Sequence, residues 1–238
     1  QTLGSTFVRA DIRFVSMGFA CMFLFVNCEA ANIRLLMRTF GKKVPYWRSL
    51  SYAFTDFYFS AITPSATGGQ PMQLYYMVRD GFGAAHSSFS LLATAAVYQM
   101  TVLVYGCVMV GANLPFVMGQ SRVIRLLLVF GILVNGFCSG LILLIILNGL
   151  LAEKTMLWIA GALSRAGIIK NRKRAVQRVE GLIDEYSRGG SYLRQYPLAA
   201  VRMFIHSAVQ LTALYLVPYW ACRALGLSVQ IKDVLALQ

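Results

Sequence analysis

Four ionisable side chains stand in stretches otherwise too apolar to carry charge: Glu29, Asp56, Arg202 and His206. If those stretches cross a bilayer, such groups mark proton, ion or headgroup chemistry, because a charge in hydrocarbon is expensive to keep. Glu29 is followed by Arg34 and Arg38, so it pairs locally with Arg34 or sits near the membrane interface. Asp56 lies about a turn and a half before Ile62, inside a short apolar arm. Arg202 and His206 are four residues apart, so one helical face can carry both. Arg202 either faces protein or snorkels to the interface, and His206 reads as a hydrogen-bonded packing residue rather than a relay.

A second candidate is backbone rather than side chain. The run "TPSATGGQP", Thr63 to Pro71, breaks an aromatic, apolar stretch with two prolines and two adjacent glycines. Backbone freed from a helix at membrane depth is tolerated where protein buries it or where it lines a wet cavity. Its open N–H and C=O groups, with two half-helix ends, can hold a charged or polar group. Gly68 and Gly69 remove side chains that would block such an approach. Thr63, Ser65, Thr67 and Gln70 offer hydrogen bonds, and Pro64 and Pro71 fix the ends. The competing reading is a turn that only packs.

The elements that must position these residues are membrane helices. The chain is 58% hydrophobic and 13% charged, against about 25% charged in ordinary soluble domains, and its mean hydropathy is +0.61. Residues 81–121, 126–152 and 203–222 hold no Lys, Arg, Asp or Glu, and about 20 apolar residues suffice to span a bilayer. Spans are expected over about 14–38, 84–111, 123–149 and 197–222. The strands of alternating polarity that a transmembrane barrel needs are not apparent. The fold class is therefore all-α: a polytopic helical membrane protein with a re-entrant, Pro/Gly-broken helical hairpin over 49–82.

The hairpin follows from charge and length. Residues 150–196 hold nine Lys/Arg against four acids, which places that section in the cytoplasm. Counting back, Gly83 is inside, and so is the basic stretch 38–48 with Lys42, Lys43 and Arg48. Both hold if 49–82 enters and leaves on one side. The arm from Arg48 to Ile62 is 15 residues, about 22 Å as a helix and short of a hydrocarbon core of about 30 Å. Two tight full spans are the alternative. Arg79 and Asp80 cap the second arm at the cytoplasmic edge.

Section 150–196 also predicts an amphipathic helix through Val176, Val179, Ile183 and Tyr186, ended by Gly189 and Gly190. Before it, Lys170, Arg172, Lys173 and Arg174 beside Ile168 and Ile169 suit anionic headgroups. The net charge of +13 lies mostly at membrane edges, and nucleic acid is not an expected partner. Cys21, Cys28, Cys107, Cys138 and Cys222 show no CxxC pair or metal-ligand spacing and read as small apolar side chains. No signal peptide, nucleophile elbow or phosphate loop is apparent, so no cofactor, no metal and no catalytic residue is expected.

The stretch from Glu29, "EAANIRLLMRTFGKKVPYWRSLSYAFTDFYFSAITPSATGGQPMQLYYMVRDG", through the second span resembles the lysylphosphatidylglycerol synthase transmembrane family. This is the flippase-like membrane domain of the multiple peptide resistance factor and its stand-alone bacterial relatives. The likeness covers most of the chain, is densest over 29–100, and rests chiefly on the "TPSATGGQP…Q" break. It implies a multi-pass protein of the bacterial inner membrane that handles phospholipid, anionic or aminoacylated, and it leaves a homo-oligomer open. The family's pattern includes a span before this chain's first and a second Pro/Gly motif beyond Gln238, so the chain reads as a fragment of one flippase-like domain.

Two functions from different classes are therefore carried forward. One is a phospholipid translocase, with Glu29, Asp56, Arg79, Arg202 and the break Thr63–Pro71 as its substrate-binding residues. The other is the membrane part of a phosphatidylglycerol lysyltransferase whose catalytic domain lies outside this chain. A membrane scaffold without a substrate is the third reading.

Overall fold

Long uncharged runs produce long helices here, and the Pro/Gly break produces two short ones. The computed structural model describes residues 10–112, 114–147 and 197–227, together with 154, 229 and 231. The amphipathic section 150–196, with its basic cluster, lies outside the described residues apart from Lys154.

The described elements are α1 (Ile12–Thr39), α2 (Tyr46–Ile62), a 3₁₀ turn (Pro64–Ala66), α3 (Gly69–Arg79), α4 (Ala84–Ala112), α5 (Leu114–Met118), α6 (Arg122–Leu147) and α7 (Pro197–Ala224). There is no strand among the described residues. Helices α1, α4, α6 and α7 are long and apolar enough to cross a membrane. At 1.5 Å per residue α1 is about 42 Å long, whereas α2 and α3 reach only about 25 and 16 Å. Neither arm alone covers a hydrocarbon core of about 30 Å.

Ring contacts and hydrogen bonds fix the directions. Asp11 N–H donates to the Ala224 carbonyl at 3.0 Å, and Asn32 reaches Ser207, so α1 and α7 run antiparallel along one seam. Tyr105 of α4 meets Tyr215 of α7 with ring centroids 5.4 Å apart, and Ala93 and Ala96 share a cluster with Met203, so α4 runs parallel to α7. Phe40, just past α1, meets His86 and Phe89 of α4 at 4.6 and 5.6 Å between centroids. The end of α1 and the start of α4 therefore lie at one end of the molecule, which also carries Arg38, Lys42, Lys43 and Arg48. It is called the basic end below.

The hairpin hangs from that same end. Asp80, after α3, accepts from Arg48 Nη1 at 2.9 Å and from Tyr52 Oη at 2.6 Å, both on the first turns of α2. Arms joined at their outer ends are antiparallel and return to the side they left. Beneath this clamp Ile33, Met37, Tyr52, Met77 and Leu91 pack into one buried cluster drawn from α1, α2, α3 and α4. The chain can turn sharply into and out of the hairpin because Gly41 and Gly81 adopt φ of 68° and 90°, a left-handed helix stop that glycine takes without strain.

Two prolines sit inside helix starts. Pro71 falls in the first turn of α3, where its missing N–H has no intrahelical partner to lose. Pro115 likewise falls in the first turn of the short helix α5.

Candidate functional site

The polar interior lies midway along α1. Glu29, ten residues before Thr39 and so about 15 Å from the basic end of the helix, is buried. Its Oε1 accepts a hydrogen bond from Gln73 Nε2 of α3 at 2.9 Å. Glu29 therefore neither pairs with Arg34 nor sits at the interface. Arg34 instead donates to the Val44 carbonyl at 3.3 Å and lies 5.8 Å from the Tyr46 ring. Asp56 of α2 and Tyr98 of α4 are within electrostatic reach of Glu29. Three elements around the break thus face one carboxylate.

One helical turn further along the α1–α7 seam, Asn32 is fully buried. Its Nδ2 donates to Ser207 Oγ at 3.3 Å, and its Oδ1 lies 3.0 Å from His206 Nδ1. His206 is thus a hydrogen-bonded packing residue, as its sequence context suggested. The antiparallel register places Gln210, one turn past Ser207, level with Glu29. Gln210 is 4% exposed, and its side-chain oxygen has no hydrogen-bond donor. Thr94 of α4 is also buried with an unpartnered hydroxyl.

The chemistry of this cluster is lopsided. It offers carboxylate oxygens at Glu29 and Asp56 and an amide oxygen at Gln210, all acceptors. Among the described residues the ion pair is Arg48–Asp80, at the hairpin base; neither Glu29 nor Asp56 has a cationic partner there. A buried charge is normally paired.

The hairpin break is built differently from the sequence expectation. The left-handed residues are Ser65 and Ala66, both at φ 55°, and neither is a glycine. Each such residue costs about 1–2 kcal/mol. Gly68, in contrast, has an ordinary helical φ of −84°. Both glycines answer to crowding. A Cβ on Gly69 would fall 2.1 Å from Ser60 Oγ, 2.4 Å from Asp56 Oδ1 and 2.6 Å from the Asp56 carbonyl oxygen. A Cβ on Gly68 would fall 2.5 Å from the Thr63 methyl. The glycines let the start of α3 press against α2.

That pressing has an electrostatic result. The Asp56 carboxylate stands beside the first residue of α3, where the positive end of a helix dipole favours an anion. The half-helix terminus that could have received an external phosphate already faces an internal carboxylate. Thr63 is used internally as well: its Oγ1 donates to the Phe59 carbonyl at 2.6 Å and accepts from Gly68 N–H at 2.9 Å. Thr67 Oγ1 donates to the Pro64 carbonyl at 3.0 Å. Pro64, Ser65, Gln70 and Pro71 are exposed at the tip.

Of the residues expected from the sequence, Glu29 and Asp56 come together, and the break lies against Asp56. Arg79 is exposed at the hairpin base, its guanidinium 4.5 Å from the Tyr76 ring. Arg202 is exposed on α7, one helical turn before His206. Gln73, Asn32, Ser207 and Gln210 do not figure among the expected residues. Uncharged polar side chains at helical spacing inside apolar stretches, Asn32 three after Glu29 and Gln210 three after Ser207, are the signal that would have found them.

Searches of curated proteins and of solved structures returned no match. The family comparison matches residues 1–238 to the lysylphosphatidylglycerol synthase TM region. A helical membrane domain with this broken hairpin, matched over its whole length, belongs to the lysylphosphatidylglycerol synthase transmembrane family.

Proposed function

We propose that the chain is the membrane domain of a phospholipid translocase of the bacterial inner membrane, acting on aminoacylated phosphatidylglycerol or a related lipid. The observation that carries this reading is Glu29: a buried carboxylate, held by Gln73 of the broken hairpin, level with an unpartnered Gln210 and near Asp56. An aminoacyl headgroup supplies the ammonium that this set of acceptors lacks. The basic end faces the cytoplasm on this reading, with Arg38, Lys42, Lys43 and Arg48 gathering anionic lipid and Trp47 anchored at the headgroup level.

The test is a leaflet-resolved assay of aminoacylated lipid in vesicles that hold the full-length protein. Glu29→Gln keeps the shape and the Gln73 contact while removing the charge. A charge-assisted hydrogen bond is worth about 1.5–3 kcal/mol, so roughly a ten- to hundredfold loss of lipid movement per folded molecule is expected. Unchanged movement overturns the reading. Orientation is checked separately with single cysteines placed at Lys42 and Gly83, which should label from one side of intact cells.

The family's description names a synthase, and this supports a second reading: the membrane part of a phosphatidylglycerol lysyltransferase. Full-length protein that makes lysylated lipid but fails to move it between leaflets would favour that reading.

A further inference from the structure

The α1–α7 seam opens at the end remote from the hairpin. There Phe14, Val15, Gly18 and Met22 of α1, with Val217 and Ala221 of α7, line a slot of about 440 Å³. This lies within the roughly 300–1,000 Å³ typical of ligand pockets. Its wall is carbon throughout. Along α1 it runs from Phe14 to Met22, about 12 Å, most of the depth of one leaflet of a hydrocarbon core about 30 Å thick.

The mouth has the marks of a headgroup region. Trp220 stacks on Phe14 at 6.1 Å and meets Tyr219 edge-on at 4.9 Å, and Trp and Tyr concentrate where hydrocarbon meets water. Arg223 places its guanidinium 5.2 Å from the Phe14 ring, over the slot wall. Arg13 is exposed in the first turn of α1. The carboxylate at this end, Asp11, is occupied as the α1 cap, accepting from Arg13 N–H at 2.9 Å.

We infer that this slot holds one acyl chain of an anionic glycerophospholipid, drawn from the leaflet remote from the basic end, with its phosphate at Arg223. Length, apolar lining and a cation at the mouth suit that occupant together. A water-filled slot would need polar partners in its wall, and its lining supplies none. An extended peptide segment would bring backbone N–H and C=O groups that this lining cannot satisfy. The site is separate from the Glu29 cluster, and the inference does not rest on the translocation reading.

Trp220 is the built-in reporter, since a Cβ on Gly18 would lie 4.0 Å from Trp220 Cβ. The experiment uses full-length protein in vesicles, with its other tryptophans replaced by phenylalanine and one acyl chain of the vesicle lipid brominated. Quenching of Trp220 by brominated phosphatidylglycerol should exceed that by brominated phosphatidylcholine about fivefold in effective affinity, the scale of one basic side chain at an anionic surface. Arg223→Gln should remove the preference and keep the quenching. Gly18→Leu, or Ala221→Leu if the first variant does not fold, should fill the slot and cut quenching by both lipids. Equal quenching by the two lipids in the unsubstituted protein overturns the inference. So does quenching unchanged by both slot-filling variants. Trp220 indifferent to either lipid means that protein fills the slot, and that outcome overturns it too.

Discussion

The same pair of helices, α1 and α7, makes two unlike seams. Toward the hairpin it is closed and polar: Asn32 bridges Ser207 and His206, and Glu29 and Gln210 lie one turn further in. Away from the hairpin it is open and carbon-lined around Gly18. Apolar burial drives no association inside lipid, so helices there are held by close packing and by hydrogen bonds. The closed half has the bonds, and the open half has room for something other than protein. Position along one helix pair decides whether a gap is filled by side chains or by a guest.

Glycine substitutions should separate the tightly packed hairpin from the open half of the seam most sharply. Gly69→Leu forces a side chain into Asp56 and Ser60, and most of the folded protein should be lost, as seen by size-exclusion recovery from detergent. Gly69→Ala is the milder form and should destabilise by about 1–3 kcal/mol through overpacking. If Gly69→Leu protein folds normally and only transport is lost, the glycine serves headgroup approach rather than packing.

Asn32→Leu is expected next. It leaves buried Ser207 and half-buried His206 without their partner, at a cost of about 1–3 kcal/mol, read as a lowered midpoint in thermal unfolding of the full-length protein. Tyr52→Phe removes one of the two bonds on Asp80 and should cost about 1 kcal/mol. Gly18→Ala closes the series. Its new methyl meets Trp220 only at ordinary contact distance, and replacing a helical glycine should gain about 0.5–1 kcal/mol. A loss at Gly18 as large as that at Gly69 would show that the far half of the α1–α7 seam is as tight as the hairpin.

Much of this was legible in the chain. Uncharged runs around 84–111 and 203–222 announce helices because a long apolar run in hydrocarbon must satisfy its backbone internally, which a helix does. The hairpin was legible from arm length against bilayer thickness. The inner geometry of the break was not. The left-handed residues are Ser65 and Ala66, while crowding between α2 and α3 claims the glycines. Glu29 drew attention through its charge, but its partner Gln73 lies 44 residues away, and pairing across three helices depends on register, which single-helix periodicity does not fix.

The bond between Glu29 and Gln73 ties the hairpin to α1 through the residue proposed to receive a cation. A ligand that takes that carboxylate competes with Gln73, so loading and hairpin docking share one free energy. By linkage, whatever factor the docked hairpin removes from ligand affinity, the bound ligand removes from docking. A headgroup entering at Glu29 would in this way loosen α3 at the depth where a path between leaflets has to open. With the outer ends of the arms still pinned at Asp80, the displacement would be greatest at the tip.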